Sequence, residues 1–303
     1  TSPLIHKPGL KTVVTVHDLG VEYLPKMHQL KQRLYLNWIT KYQLKSATKL
    51  IAVSNATKND LIKKAGINPE KIVVIHEGYD KELFGPVKGL SRAESREDTL
   101  VNSLKYYDLV PGNYFLFVGT IQPRKNLERL ITAFSPLAHL RGVSRSNLKL
   151  HLGGEVKLVI AGTKGWLSDD IYKLPKKLGI EDKVKFLGHV YDKDLPALYS
   201  GAIALTYCSL FEGFGLPILE AQAAGCPVLT SKVSSMPEVA GKGALLVNPY
   251  SLDDIVRGIR EIGLPAGKAG GIRGKLIKAG FENIKRFSWE KCARETLEVF
   301  QEV

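Results

Sequence analysis

Two glutamates and two glycines stand close together in the segment Glu212-Gly-Phe-Gly-Leu-Pro-Ile-Leu-Glu220. Gly213 and Gly215 let backbone N–H groups approach a ligand closely, and Pro217 suits the first turn of a helix, where its missing N–H would be unpaired anyway. The positive end of that helix dipole adds attraction for an anion. The segment therefore predicts a loop that binds an anionic ligand.

Glu220 lies within Pro217–Ala224, a stretch that is apolar on nearly every helical face. A buried carboxylate is costly unless a partner hydrogen-bonds it, and a pair of sugar hydroxyls would do so. The structural alternative is that Glu212 caps the helix and Glu220 pairs with a buried arginine. The Glu-x7-Glu spacing by itself does not exclude that alternative.

Arg124 and Lys125 precede a helix that the pattern predicts to begin at Asn126. Cations at a helix N-terminus oppose the helix dipole, so two in a row make sense if a multiply charged anion bridges them and the free amides. The alternative is a solvated basic turn, because arginine and lysine are common on surfaces. The turn follows the carboxyl end of a strand in the same unit as the Glu212 segment, which favours a shared anion site.

His17, with Asp18 beside it, follows the predicted strand Thr12–Val16. A histidine of this kind is often only a turn residue whose hydrogen bonds are satisfied locally. Its place at the carboxyl end of the first sheet favours a role in a cleft between two units.

The elements that position these residues alternate between short β-branched strands and amphipathic helices, which calls for parallel sheets covered by helices. The predicted strands are Thr12–Val16, Leu50–Val53, Lys71–Ile75, Tyr114–Val118, Val156–Ala161, Val184–Leu187, Ala202–Thr206, Pro227–Thr230 and Ala244–Val247. The predicted helix N-caps are Ser54, Asn126, Ser168, Asp192, Ser251 and Ser288. The fold class is therefore α/β.

The glycine- and proline-containing stretch around residues 85–106 predicts a linker between two α/β units. We expect residues 1–84 to form a partial Rossmann-like domain, truncated because about three strands are too few for a complete one. Residues 107–286 are expected to form a complete Rossmann-like domain, with a surface insertion at 141–154. Residues 287–303 are expected to form a C-terminal helix that packs back on the first domain.

Composition limits the function classes. The 303 residues carry a net charge of +13, which favours anionic partners, but no helix-turn-helix, zinc-finger or aromatic RNA-binding motif indicates nucleic acid. Cys208, Cys226 and Cys292 lie far apart without metal-ligand spacing, which is typical of reduced thiols in a cytoplasmic protein. No apolar run approaches the roughly 18 residues that span a bilayer.

Two further motifs carry alternative chemistry. Asp192-Lys-Asp194 fits a metal-binding Asp-x-Asp, but it directly precedes a helical stretch, so we interpret Asp192 as a helix cap and Asp194 as a first-turn acid. Gly162-Thr-Lys-Gly165 lacks the glycines of a P-loop. The sequence also lacks Gly-x-Gly-x-x-Gly after any strand and a Gly-x-Ser-x-Gly elbow, which excludes the usual dehydrogenase and serine-hydrolase signatures.

The complete Glu212–Glu220 string resembles the Glu-x7-Glu motif of glycosyltransferase family 4, and the resemblance runs from about Thr12 to Val247. It includes, in the order of that family, His17-Asp18, Ala52-Val-Ser54, Gly78 with Asp80, Phe117–Asn126, Leu158–Gly162, Val184–Gly188 and Ser234–Glu238. The resemblance implies a retaining enzyme of the GT-B type, with two Rossmann-like domains facing across a cleft. The details look most like group 1 mannosyltransferases.

The resemblance also implies roles for individual residues. In similar enzymes the residues matching Arg124 and Lys125 hold the diphosphate of the donor, and those matching Glu220 bind the nucleotide ribose. The residue matching His17 reaches across the cleft to the donor sugar, which the residue matching Glu212 orients.

Backbone and crevice positions complete the implied donor site. The amides after Glu212 would cradle the donor sugar and phosphates, the turn after the first strand of the second unit would line the same crevice, and one further segment would contact the base. These positions are, in turn, Gly213, Phe214, Gly215 and Leu216; Gly119 and Thr120; and Gly188, His189 and Val190.

The implied reaction is transfer of mannose or glucose from GDP-mannose or UDP-glucose to a saccharide or lipid-linked saccharide, without a metal or other cofactor. Two alternatives stay open: a non-catalytic nucleotide-sugar-binding protein, and a GT-B epimerase or phosphorylase. The chain lacks the family's glycine-rich loop after the first strand, so the 303 residues are expected to bind nucleotide even if they catalyse nothing. Cys208 stands where relatives often have proline, and Glu77 where they often have asparagine.

Basic and aromatic residues share the predicted helix at 30–49. They are Lys31, Arg33, Lys41, Lys45 and Lys49, with Tyr35, Trp38 and Tyr42. A solvated helix face with its aromatics in the core is the favoured interpretation. Peripheral association with the anionic inner face of a membrane is the alternative hypothesis.

Overall fold

The computed structural model describes residues 10–19, 42, 44–84, 102–138, 156–263 and 271–303. Most of the predicted basic helix at 30–49, most of the predicted linker at 85–106 and the whole predicted insertion at 141–154 lie outside the described residues.

The described residues contain two parallel β-sheets, and each of the nine predicted strands is found within two residues of its predicted ends. The strands are β1 (Val13–Val16), β2 (Lys49–Ala52), β3 (Ile72–Val74), β4 (Tyr114–Val118), β5 (Lys157–Ala161), β6 (Val184–Gly188), β7 (Ala204–Tyr207), β8 (Val228–Ser231) and β9 (Ala244–Val247). Strands β7 and β8 are buried on both faces, which explains their continuous rather than alternating apolar pattern.

The order of the strands creates a crevice in the second sheet. The first sheet has the order β1-β2-β3, and the second has the order β6-β5-β4-β7-β8-β9. The chain enters the second sheet at β4, runs outward to β6, and then returns to place β7 on the other side of β4. A ligand crevice opens where the order reverses, above the carboxyl ends of β4 and β7.

Helices connect the strands and complete the α/β architecture. They are α1 (Asn55–Ala65), α2 (Lys81–Phe84), α3 (Leu127–Ala138), α4 (Asp169–Lys177), α5 (Leu195–Gly201), α6 (Leu216–Ala223), α7 (Met236–Ala240), α8 (Leu252–Gly263), α9 (Gly271–Asn283) and α10 (Trp289–Glu302). Three of the predicted N-caps are confirmed. The hydroxyls of Ser54, Ser251 and Ser288 accept hydrogen bonds from the amides of Thr57, Asp254 and Lys291.

Of the other three predicted caps, those at Asn126 and Asp192 are wrong, and Ser168 occupies the N-cap position without a side-chain capping bond. Asn126 has φ +60°, and its amide nitrogen donates to the carbonyls of Cys208 and Pro249. Ser168 precedes α4, but its hydroxyl donates to the carbonyl of Gly165. Asp192 begins a 3-10 turn, Asp192–Asp194, rather than capping α5. Asp194 therefore lies before α5, not in its first turn as predicted.

The C-terminal helix α10 returns to the first sheet. Val299 is 3% exposed and packs with Ile51 and Ile75 of the first unit. At the other boundary, residues 102–106 form a helical turn, and Leu104 lies in the large core of the second unit. Both ends of the second unit are thus anchored by apolar contacts.

Candidate functional site

The loops that follow β4 and β7 lie against each other because these two strands are neighbours. The amide of Leu210 donates to the carbonyl of Arg124 at 3.0 Å. The side chain of Asn126 adds a 2.9 Å hydrogen bond to the carbonyl of Cys208. These contacts hold the basic turn 123–125 beside the segment that begins at Glu212.

Glu212 binds both neighbouring cations. Its two carboxylate oxygens accept from Arg124 Nη1 at 2.5 Å and from Lys125 Nζ at 2.7 Å. Lys125 also donates to the hydroxyl of Tyr207 at 2.8 Å, and Arg124 donates to the carbonyl of Phe211 at 2.9 Å. The side chains of Glu212 and Lys125 are only 7% and 9% exposed, so this ion pair is buried.

The pKa values of the three groups reflect burial and mutual attraction. Burial acts to raise the pKa of Glu212, but Lys125 and Arg124 outweigh it, so that pKa is lowered and the carboxylate is ionised. Burial also opposes the charge on Arg124, yet Glu212 and Asp18 leave its pKa raised. Burial lowers the pKa of Lys125, which Glu212 offsets only in part. Arg124 and Lys125 are thus two cations whose charged groups meet at the Glu212 carboxylate.

The loop from Glu212 to Gly215 presents its backbone N–H groups. Two serine hydroxyls bind its carbonyls, since Ser234 and Ser235 both donate to the carbonyl of Glu212 and Ser235 also donates to that of Phe214. Among the described residues, no hydrogen-bond acceptor contacts the amides of residues 213–215. Helix α6 begins directly afterwards without a side-chain cap, after Gly215 at φ +117°. Unpaired amides at a helix N-terminus form an anion site.

Ser234 and Ser235 were missed as site residues by the sequence reasoning. The segment was recognised as part of the family pattern, but the hydroxyls act on a loop 22 residues earlier. Two adjacent serines after a strand are a weak signal, because serine is common in such turns.

The first unit contributes His17 and closes the site from the opposite side. A Cβ atom on Gly213 would lie 1.7 Å from the carbonyl oxygen of His17, so only glycine permits this backbone contact. The hydroxyl of Ser54 donates to the carbonyl of Gly213 at 2.7 Å. The ring of His17 is 69% exposed and is bonded at Nδ1 to Glu77 at 2.9 Å.

These residues enclose a cleft of about 330 Å³. Most of the predicted site residues line it: His17, Gly119, Thr120, Arg124, Lys125, Glu212, Gly213, Phe214, Gly215 and Leu216. The cleft also includes residues to which sequence reasoning assigned no site role: Asp18, Val53, Glu77, Gln122, Tyr207 and Pro217. Phe214 has its ring packed between His76 and Phe287, so only its backbone is offered to a ligand.

Glu220 does not line this cleft. Its carboxylate accepts from the hydroxyl of Tyr199 at 2.7 Å, and burial raises its pKa despite that bond. The hydrogen-bond partner of Glu220 among the described residues is thus a tyrosine, and not a buried arginine. Glu220 lies one turn into α6, and the first residues of that helix, Leu216 and Pro217, line the cleft.

His189 and Val190 also lie outside the cleft. His189 is exposed, and its ring meets that of Tyr191 at 5.6 Å. Val190 is 7% exposed and belongs to the core, so its side chain is directed away from any ligand. The backbone of this segment and the exposed ring of His189 are therefore the groups that it offers to a bound molecule.

The described part of the chain contains no group of three or more histidine, cysteine, aspartate or glutamate residues that could hold a metal ion. The carboxylate of Asp194 accepts hydrogen bonds from the hydroxyls of Ser103 and Tyr107, and it therefore has a structural role. In the same described ranges, no helix has the length and apolar character required to cross a membrane.

Comparison with known proteins yields two family matches. Residues 2–83 match the family described as Glycosyltransferase Family 4, and residues 109–264 match Glycosyl transferases group 1. The two matches correspond to the two sheets.

Individual relatives agree with these families. O-antigen chain mannosyltransferase B of Escherichia coli is 30% identical over 96% of this chain and 70% of its own length. O-antigen chain mannosyltransferase RfbU of Salmonella typhimurium is 28% identical over 90% and 67%. The structure of HepE from Anabaena, in complex with UDP and glucose, superimposes with a TM-score of 0.74 and 20% identity, covering 97% of this chain and 72% of that one. This last similarity shows the GT-B fold.

Proposed function

The chain belongs to the group 1, family 4 glycosyltransferases, and from this premise we propose that it transfers a hexose from a nucleoside-diphosphate sugar to a saccharide acceptor with retention of the anomeric configuration. Glycosyl transfer from a sugar donor is the activity of the family. The retention, the donor and the acceptor are the proposed details.

One observation carries the proposal. Arg124 and Lys125 meet on Glu212 beside the amides of residues 213–215, at the carboxyl ends of adjacent strands. A nucleoside diphosphate is a compact anion that can bind both cations and the amides together. Such preorganised donors stabilise the charge that develops on a leaving diphosphate.

The proposed reaction breaks the bond between the anomeric carbon of the sugar and the terminal phosphate oxygen. A bond from that carbon to the acceptor oxygen forms on the same face, and the acceptor proton passes to the leaving diphosphate. Arg124 and Lys125 take the place of a divalent metal in neutralising the phosphate. We therefore expect that a chelator leaves the transfer rate unchanged, as measured by release of nucleoside diphosphate in the presence of EDTA.

Each predicted residue has a place in this proposal. Glu212 orients the donor sugar and, because it binds both cations, also holds them in position. Glu220 binds the ribose at the flank of the cleft, and the backbone of residues 188–190 contacts the base. His17 reaches the sugar from the opposite unit.

The donor is proposed to be GDP-mannose, with UDP-glucose as the second candidate. Two relatives are named O-antigen chain mannosyltransferases, which supports mannose and a saccharide or lipid-linked saccharide acceptor. Non-catalytic binding and epimerase or phosphorylase activity are not favoured by these relatives. Release of free nucleoside diphosphate only after an acceptor is added would distinguish transfer from both.

The proposal is tested by isothermal titration of GDP-mannose and UDP-glucose into the chain. We expect one of them to bind, and Lys125→Ala to weaken its binding by roughly ten- to hundred-fold, the effect of losing one hydrogen bond between charged groups. Glu220→Ala is expected to weaken binding as well. Lys176→Ala, an exposed change in α4, is the matched control. Unchanged affinity in both Lys125→Ala and Glu220→Ala would refute the assigned roles.

We also propose a cytoplasmic location at the inner face of a membrane. The net charge of +13 attracts anionic lipid, and a lipid-linked acceptor would lie at that surface. Flotation with vesicles containing phosphatidylglycerol is expected to carry the protein upward at low salt. Flotation no greater than with neutral phosphatidylcholine vesicles would refute the proposed membrane association.

A further inference from the structure

We infer that Glu77 is a positioning residue that orients His17 toward the donor, an assignment that rests on the proposed function. Glu77 follows β3 and His17 follows β1, the two strands that flank β2 in the first sheet. Glu77 therefore reaches across the carboxyl end of β2 to bind the ring. The oxygen Oε1 of Glu77 and Nδ1 of His17 are 2.9 Å apart.

His17 and Glu77 differ in exposure, and the more buried of the two fixes the orientation of the other. The side chain of Glu77 is 13% exposed, whereas that of His17 is 69% exposed. A ring this exposed has little packing to fix its rotation. The hydrogen bond that Nδ1–H of His17 donates to the more buried carboxylate is the contact that restricts the ring.

The pair also selects a tautomer. An ionised carboxylate only accepts hydrogen bonds, so Nδ1 of His17 must carry a proton. Because the two ring nitrogens point away from each other, Nε2 is presented on the side away from Glu77. Both residues line the cleft, so the free nitrogen is available to a ligand there.

The charges around the ring favour its protonated form. The hydrogen bond that the ring donates to Glu77 is the largest influence and raises the pKa of His17. Burial acts in the opposite direction, and the charges of Glu77 and Asp18 add to the rise. Across the cleft stand Glu212 and the cations Arg124 and Lys125. A protonated His17 can donate a hydrogen bond from Nε2–H to an oxygen of the nucleotide sugar. This hydrogen bond is lost as the pH rises through the pKa of His17.

Two substitutions separate the geometric effect of Glu77 from its charge. Glu77→Gln keeps an acceptor for Nδ1 but removes the charge, whereas Glu77→Ala removes both. Glu82→Gln, in α2, removes an exposed charge of the same sign elsewhere in the first unit and is the control. The His17→Gln variant identifies the His17 signal in the NMR spectrum of the seven histidines.

The first measurement is the NMR titration of the His17 ring in the chain without ligand. We expect its pKa to fall in Glu77→Gln and Glu77→Ala and to stay unchanged in Glu82→Gln. Equal titration of His17 in the wild type and both Glu77 variants would overturn the pairing.

The second measurement is the affinity for GDP-mannose and UDP-glucose at pH values from roughly 5.5 to 9. This range spans the ordinary pKa of histidine, about 6.5. In the wild type the affinity is expected to fall as His17 loses its proton, and in Glu77→Gln this fall is expected at lower pH. Glu77→Ala is expected to bind about ten-fold more weakly in addition, the effect of losing one hydrogen bond to a charged group. Identical pH profiles in all three proteins would refute the positioning role. If neither donor binds the wild type, the proposed donor class is wrong, while the NMR titration still decides whether Glu77 controls His17.

Discussion

At the scale of single residues, Glu212 has a wider role than its sequence motif indicates. The motif suggested an acid that orients a sugar, and the structure adds that this acid is bound by Arg124 and Lys125 at the same time. Without ligand, two buried cations would otherwise repel each other. Glu212 therefore stabilises the very arrangement that a diphosphate would use.

We predict that Glu212→Gln lowers the free energy of unfolding by about 3–5 kcal/mol, because it leaves buried cations without their counter-charge. Urea denaturation followed by circular dichroism measures the change. The control is Glu82→Gln, an exposed residue for which less than about 0.5 kcal/mol is expected. A loss for Glu212→Gln as small as that of the control would contradict the cluster.

The same residue predicts a pH dependence. The pKa of Glu212 is lower in the folded state than its ordinary value of 4.5, so its contribution to stability is fully present above that value. The contribution is lost as pH falls through the lowered, folded-state pKa. The difference in unfolding free energy between wild type and Glu212→Gln should therefore shrink in acid below about pH 4.5. A constant difference down to that range and below it would argue against this sign.

At the scale of elements, the site is made where loops from three strands meet. The turn after β4 supplies cations, the loop between β7 and α6 supplies amides, and the end of β1 supplies His17. Backbone-to-backbone contact joins the last two, since Gly213 lies directly against the carbonyl of His17. Serine hydroxyls from the loop after β8 complete the support.

We predict opposite effects for two glycine-to-alanine changes. Gly213→Ala places a Cβ 1.7 Å from the carbonyl oxygen of His17 and should destabilise the protein by about 1–3 kcal/mol. Gly274→Ala, in α9, adds a Cβ that meets no atom within 4 Å apart from its own helix backbone, so it should stabilise the protein by about 0.5–1 kcal/mol. Thermal denaturation of both variants measures the difference. A Gly213→Ala variant as stable as the wild type would show that the contact with His17 is not required in solution.

At the scale of the whole molecule, one carboxylate of the second unit binds several groups of the first unit. Glu238, in α7 of the second unit, accepts from the amides of Asn55 and Ala56 at the start of α1, and from His76 at 2.7 Å. The amides at a helix N-terminus attract a carboxylate. The Glu238 contact thus acts together with the Gly213 contact to hold the units closed on each other.

We predict that Glu238→Ala accelerates hydrogen exchange of the Asn55 and Ala56 amides by at least about ten-fold, the effect of losing a hydrogen bond to a charged group. Burial acts to raise the pKa of Glu238, but His76 and the Asn55 and Ala56 amides leave that pKa lowered. In the wild type, the protection of these amides from exchange should therefore persist until the pH falls through the lowered pKa. The control is Glu282→Ala, whose exposed side chain pairs only locally with Lys285. Equal exchange in wild type and Glu238→Ala would show that Glu238 does not protect these amides in solution.

The sequence by itself determined the local part of this protein. Nine strands and three serine caps were predicted correctly, because β-branched runs and N-cap hydroxyls act on residues within a few positions of themselves. The family pattern also identified Arg124, Lys125 and Glu212 as members of one site.

Tertiary structure alone decided which groups meet. Glu77 is 60 residues from His17, Ser234 is 22 residues from the Glu212 carbonyl, and Glu238 is 183 residues from Asn55. None of these spacings is periodic. The caps predicted at Asn126 and Asp192 are wrong because distant partners or another turn use those residues, and Ser168 lies at its N-cap position but bonds the carbonyl of Gly165. Such pairings depend on the order of strands in the two sheets, which brings remote loops to one edge, and no local pattern of residue types specifies that order.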